Sequence, residues 1–181
     1  GDVIMVGGYA SFTLMMNTGA HPLVAILASI VVCTVLGIVI ETIAYRPLLE
    51  ASSSLAVLIT AIGVSYFLQN VVLLIFGSSP KSYQSVVTLP NLKLCGGALV
   101  ITSTSIVTII CCIVIMLALT FFINNTKPGQ AMLAVSEDKG AAQLMGINVN
   151  GTIALTFAIG SGLAAVAGVL LCSAYPYLSP Y

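Results

Sequence analysis

Four long apolar runs, separated by polar segments dense in turn formers, set the pattern of this chain. Leu23–Ala44, Leu55–Phe76, Ser105–Ile123 and Thr152–Cys172 each come close to the roughly 20 apolar residues that a helix needs to cross the hydrocarbon of a bilayer. Val3–Met16 is too short to span. It is either the remainder of a helix cut at Gly1 or a partial span broken at Gly7-Gly8. The turn-rich Asn17-Thr18-Gly19-Ala20-His21-Pro22 follows it, and His21, the only histidine, reads as a solvated loop residue. Tyr45–Ser54 is expected to be a compact loop. Gly77–Ser103, with Pro80, Pro90 and Gly96-Gly97, is expected to lie in water without regular structure, and Ser173–Tyr181 to begin another aqueous segment. The pattern predicts an all-α, polytopic transmembrane helical bundle, about four complete spans plus one partial span, forming a single membrane domain over residues 1–181.

The polar segment 124–150, NNTKPGQAMLAVSEDKGAAQLMGINVN, lies between the last two spans and holds Lys127, Glu137, Asp138 and Lys139 in a chain with few charges. A polar stretch of this length must stand in water on one face of the membrane. Thr126-Lys127-Pro128 suits a helix start, because Pro loses nothing at the first helical position. Ser136 reads as an N-cap, with Glu137 and Asp138 against the positive end of the following helix dipole. Gly146-Ile147 reads as a helix C-cap with a trailing hydrophobic contact. Two short helices are expected, about Gly129–Val135 and Glu137–Met145. The second would expose Ala141, Leu144 and Met145, more apolar surface than a free loop favours, so a partner is expected to dock there.

Two polar patterns occur inside the spans. Thr152, Thr156, Gly160, Ala164 and Gly168 recur every fourth residue as a slowly drifting stripe. Small residues of this kind let helix backbones approach closely, so the stripe is expected to face another helix of the same subunit or of a paired one. In the second full span, Ala61, Ser65 and Gln69 share a narrow face, while Thr60, Gly63 and Asn70 drift onto another. Two readings stay open for Ser65, Gln69 and Asn70: hydrogen bonds that tie neighbouring helices together, or groups lining a route for a polar solute. Glu41, near the end of the first full span, can pair with Arg46 or reach water; a proton relay is the alternative.

Composition sharpens this picture. The chain is 59% hydrophobic and 6% charged, with a mean hydropathy of +1.16, whereas an ordinary soluble domain carries about 25% charged residues. Net charge is zero, so no basic field exists to draw nucleic acid. Cys33, Cys111, Cys112 and Cys172 fall in apolar runs and Cys95 in a loop, none with metal-ligand spacing to the single histidine. No phosphate-cradling G-x-x-x-x-G-K-[ST] and no H-E-x-x-H is present. Ser161 lies in Ile159-Gly160-Ser161-Gly162, where Ile159 replaces the first glycine of a nucleophile elbow. No catalytic residue, cofactor or metal is predicted.

The segment Thr126-Lys127-Pro128-Gly129-Gln130-Ala131-Met132, with Ala141-Ala142, Leu144-Met145-Gly146-Ile147-Asn148 and Ala154-Leu155-Thr156-Phe157-Ala158-Ile159-Gly160, resembles the permease subunits of bacterial branched-chain amino acid ABC transporters. ETIAYRP at Glu41–Pro47 and LITAIGVSYFLQN at Leu58–Asn70 agree, as do Gly1-Asp2-Val3 and Pro176–Tyr181. The resemblance implies a non-enzymatic permease in the bacterial cytoplasmic (inner) membrane, in contact with lipid, for leucine, isoleucine or valine. A permease for an amide or urea, or a channel or secondary carrier, is the alternative. The implied partners are a paired permease subunit, two ATPase subunits and an extracytoplasmic solute-binding protein. Segment 124–150 would be the cytosolic coupling loop, with Glu137, Asp138, Ala141, Ala142, Leu144, Met145 and Gly146 meeting the ATPase. Its cytosolic side follows from the resemblance; Arg46, Lys127 and Lys139 against Lys81 and Lys93 on the other face add a small positive-inside bias. Family members extend further at both ends, so an internal fragment is expected.

Overall fold

The computed structural model describes residues 1–19, 21–49, 53–82, 90–94 and 99–178. In order, the elements are α1 (Asp2–Thr18), α2 (Pro22–Ile40), a π-helical turn (Glu41–Tyr45), α3 (Arg46–Leu49), α4 (Ser54–Phe76), β1 (Lys81–Ser82), β2 (Leu92–Leu94) and β3 (Leu99–Ile101). After these come α5 (Ser103–Asn125), α6 (Lys127–Glu137), α7 (Lys139–Leu144), α8 (Val149–Ala174) and β4 (Tyr177–Leu178). Among the described residues, 4 helical stretches are long and apolar enough to cross a membrane: Pro22–Leu48, Ser54–Phe76, Ser103–Asn125 and Val149–Ala174. These are the four expected spans, the second extended by one residue and the others by four or five. With no water in hydrocarbon to satisfy backbone groups, an apolar run of this length closes its hydrogen bonds within itself as a helix.

Three expectations are corrected. α1 runs unbroken through Gly7-Gly8, because both glycines are buried against neighbours that hold the helix in place. Residues 45–49 are not loop: the chain leaves α2 through the π-helical turn and continues as α3. The segment 77–103 is not devoid of regular structure. β1 pairs antiparallel with β4, Lys81 opposite Leu178, and β2 pairs antiparallel with β3, Lys93 opposite Val100. Local pattern could not show these ladders because each needs a partner strand. Cys95 and Gly96-Gly97 lie outside the described residues, as do 179–181 and Ala20.

The chain divides into two compact units, Gly1–Gln84 with Ala154–Tyr181, and Ser85–Ile153. In the first, most buried positions are small or polar, among them Ser11, Ala25, Ser29, Cys33, Ala165 and Ser173, with Tyr9, Leu68, Val72 and Val169 as the larger buried side chains. Large aliphatics such as Leu27, Val31, Ile59 and Leu74 stand exposed. This inverts a soluble core. Lipid tails are as apolar as leucine, so close packing of small residues and interhelical hydrogen bonds hold the helices instead. Ser29 Oγ donates to the carbonyl of Gly7 at 2.8 Å, tying α2 to α1. Tyr9 and Phe76 bring α1 to α4 with ring centroids 4.6 Å apart. Lys81 lays its ammonium over Phe12 and Phe76, 5.7 and 5.6 Å from the ring centres.

The second unit is organised by α5 and the two short helices after it. α6 starts where Thr126 Oγ1 accepts from the Gly129 N–H at 3.2 Å. Gly129 is buried, and a side chain there would run into the α5 backbone at Phe122 and Ile123, so the tight turn from α5 into α6 requires glycine.

Candidate functional site

The polar segment α6–α7 is locked at both ends of α7. Asp138 Oδ1 accepts from the N–H groups of Gly140 and Ala141, at 2.8 and 3.2 Å. At the other end Gly146, with φ 82°, lets its N–H reach the Gln143 carbonyl at 3.0 Å while Ile147 N–H reaches that of Ala142 at 3.1 Å. This is the paired bonding of a Schellman C-cap. The first helix begins at Lys127, two residues ahead of the expected Gly129, with Pro128 second in it, whereas Gly146 stands where the sequence puts it. Ser136 does not: it stays inside α6 and donates to the Leu133 carbonyl at 2.6 Å. Asp138 displaces it as cap because a carboxylate takes two N–H bonds, each strengthened by charge. Glu137 consequently closes α6 instead of opening α7.

Of the residues expected to meet a partner, Ala141, Leu144, Met145 and Gly146 are on the surface, as are Glu137 and Asp138. Leu144 is 89% and Met145 82% exposed. Ala142 is 3% exposed and faces inward, so it supports the hairpin and offers nothing to a partner. Leu133, on α6, is also exposed.

In the first unit, the structure brings Ser65 and Gln69 together on Asp2. Ser65 Oγ donates to Asp2 Oδ2 at 2.6 Å, and Gln69 Nε2 donates to Oδ1 at 2.9 Å. Asn70 is not part of this cluster; it is exposed and donates back to the Tyr66 carbonyl at 2.7 Å. Gly63 faces open space. Beside the cluster is a pocket of about 160 Å³, lined by Asp2, Gly37, Tyr45, Ser65, Phe157 and Ser161 among others. The sequence offered no sign that Asp2, Ser161 and the second full span share a site.

Glu41 is 0% exposed and meets Arg46 at 3.4 Å, Arg46 being 40% exposed. Thr42 Oγ1 donates to the same carboxylate oxygen at 3.3 Å. The π-helical turn makes the pairing possible. Its wider winding bonds the Arg46 N–H to the Glu41 carbonyl, stacking residue i+5 over residue i, which an α-helix would put on another face. The ion pair expected as one alternative is present.

The stripe on α8 divides. Thr152 and Gly168 are buried, Ala164 is half-buried, and Thr156 and Gly160 are exposed, with nothing near a side chain added at Gly160. A step of four residues overshoots a helical turn by about 40°, so four steps move the stripe most of the way to the opposite face. The face that packs within the first unit is Ser161, Ala165, Gly168, Val169 and Cys172. A side chain at Gly7 would meet Ala165 Cα at 2.9 Å, and one at Gly168 would strike the Ile4 carbonyl.

All 181 residues match the family described as branched-chain amino acid transport system / permease component. The high-affinity branched-chain amino acid transport system permease protein BraD of Pseudomonas aeruginosa is 41% identical over 99% of this chain and 62% of its own length. The corresponding permease protein LivH of Escherichia coli K12 is 42% identical over 100% of the chain and 62% of its own length. A probable LivH of Methanocaldococcus jannaschii is 28% identical over 94% of the chain and 55% of that protein. The chain thus spans about three fifths of the length of these curated relatives. No solved structure matches it.

Proposed function

The chain belongs to the permease family of branched-chain amino acid transport systems, and from that premise we propose that it is a membrane-spanning subunit of an importer for leucine, isoleucine and valine. On this reading it lies in the bacterial inner membrane beside a second permease, is fed by an extracytoplasmic binding protein, and takes its energy from two separate ATPase subunits. The observation that carries it is the α6–α7 hairpin. Rigid caps hold α7 in a polar segment between two spans, and Leu144 and Met145 project from its end with no bilayer to enter. Exposed apolar residues on a locked element mark an interaction site, and an ATPase groove would bury them.

The test places cysteine at Leu144 in the assembled transporter. Leu144→Cys should crosslink to an ATPase subunit; labelling of the same thiol by a membrane-impermeant reagent from outside the cell would overturn the orientation. Ala141→Arg should lower leucine uptake about tenfold or more with the protein still folded, because it drives a charge into the docking face. Competition of uptake by isoleucine and valine, but not by urea or acetamide, separates the branched-chain reading from transport of another small polar solute.

A further inference from the structure

Asp2 receives two side-chain hydrogen bonds on its carboxylate, from Ser65 and Gln69, and Gly1, Asp2 and Ser65 are among the residues that line the 160 Å³ pocket of the first unit. We propose that this pocket recognises the transported amino acid inside the permease, with Asp2 as the counter-charge for its ammonium group and Ser161 as a partner for its carboxylate. The proposal rests on the transport reading above and adds to it a site. An ionised carboxylate offers about four lone-pair positions; Ser65, Gln69 and the backbone N–H of Asp2 itself take three, which leaves one for an ammonium. Ser65 and Gln69 hold Asp2 in one orientation, which prepares the charge before a ligand arrives.

The rest of the lining fits the remainder of such a molecule. Ile40, Val64 and Leu68 give an aliphatic wall, and Tyr45 and Phe157 close it as a tilted ring pair 5.2 Å apart. A cavity of about 150 Å³ admits a molecule the size of benzene, which is the scale of a branched aliphatic side chain. Ser161 is 7% exposed, lines the pocket, and forms no side-chain hydrogen bond among the described residues. Buried polar groups nearly always have partners, and a hydroxyl held in a pocket wall without one is free to bond a ligand. Gly37 keeps that position open, since a side chain there would collide with the Ser161 hydroxyl. A cluster serving only to tie α1 to α4 would need neither the pocket nor a spare hydroxyl across it.

The test uses the whole transporter, reconstituted with its ATPase subunits and binding protein. Absence of leucine uptake by the unmodified complex would defeat the transport reading itself. Given uptake, Asp2→Asn should assemble and lower it about tenfold or more, the effect of losing one charge-assisted hydrogen bond, and Ser161→Ala should lower it less. Unchanged uptake in assembled Asp2→Asn would overturn the site. Because Asp2→Asn also touches a contact between helices, a second measurement uses the unmodified complex without binding protein. Millimolar 3-methylbutylamine, which keeps the ammonium and the branched chain, should raise the thermal unfolding midpoint. Equimolar 4-methylpentanoate, which lacks the ammonium, should not. Equal shifts, or none, would overturn the proposal.

Discussion

α1 meets its neighbours in two unlike ways. Toward α8 it presents Ile4, Gly7 and Gly8, and the contact is nearly backbone on backbone, with Ala165 and Gly168 opposite. Toward α4 it presents Asp2 and Tyr9, seven residues apart and so on one stripe of the helix, and the contact runs through side chains: Asp2 to Ser65 and Gln69, Tyr9 to Phe76. In lipid, both close approach and polar bridging can hold helices together. They differ in what they tolerate. The glycine contact has no atom to give up and no space to take one in, whereas the side-chain contact can let go and re-form. The first suits a fixed element and the second a place where a ligand enters.

The largest effect should follow from breaking the close contact. Gly168→Leu drives a side chain into the Ile4 carbonyl; the obstacle is backbone, so the loss should reach about 3 kcal/mol, the upper end for overpacking. The fraction of monodisperse protein after graded heating in detergent measures it. Milder loss would show that α1 can slide along α8.

Breaking the side-chain contact should cost less. Gln69→Leu removes one of the two donors to Asp2 and should destabilise by about 1 kcal/mol, between the average for interhelical bonds in membranes and the value for a charged acceptor. Denaturant titration of the purified protein gives the number, and a loss as large as that of Gly168→Leu would erase the distinction between the two faces.

Ser29→Ala tests a mixed case, a side chain bonded to the backbone of the glycine face. About 0.6 kcal/mol is expected, read from the same titration. The smallest effect belongs to Gly160, which faces open space: Gly160→Leu should change the stability of the isolated subunit by no more than about 0.5 kcal/mol. If it nonetheless abolishes co-purification with the second permease proposed above, the exposed half of the α8 stripe is where that partner packs.

Elements whose causes are local can be read from the order of residues alone. Spans are legible because a run of about 20 apolar residues has one way to satisfy its backbone in lipid. The helix start at Thr126-Lys127-Pro128 and the cap at Gly146 are legible because each acts within a few residues of itself. The choice of Asp138 over Ser136 was not, since two neighbouring residues both suit the role and the folded turn selects the stronger acceptor. Which face of each span is buried follows instead from how the helices pack. A soluble helix announces its inner face by amphipathicity, but a span is apolar on every side, and the stripe of small residues on α8 could be followed only until helical drift carried it outward. The Asp2–Ser65–Gln69 cluster lay further out of reach. It joins residues 63 and 67 positions apart in the chain, and no periodicity within one helix records which polar group a different helix will bring against it.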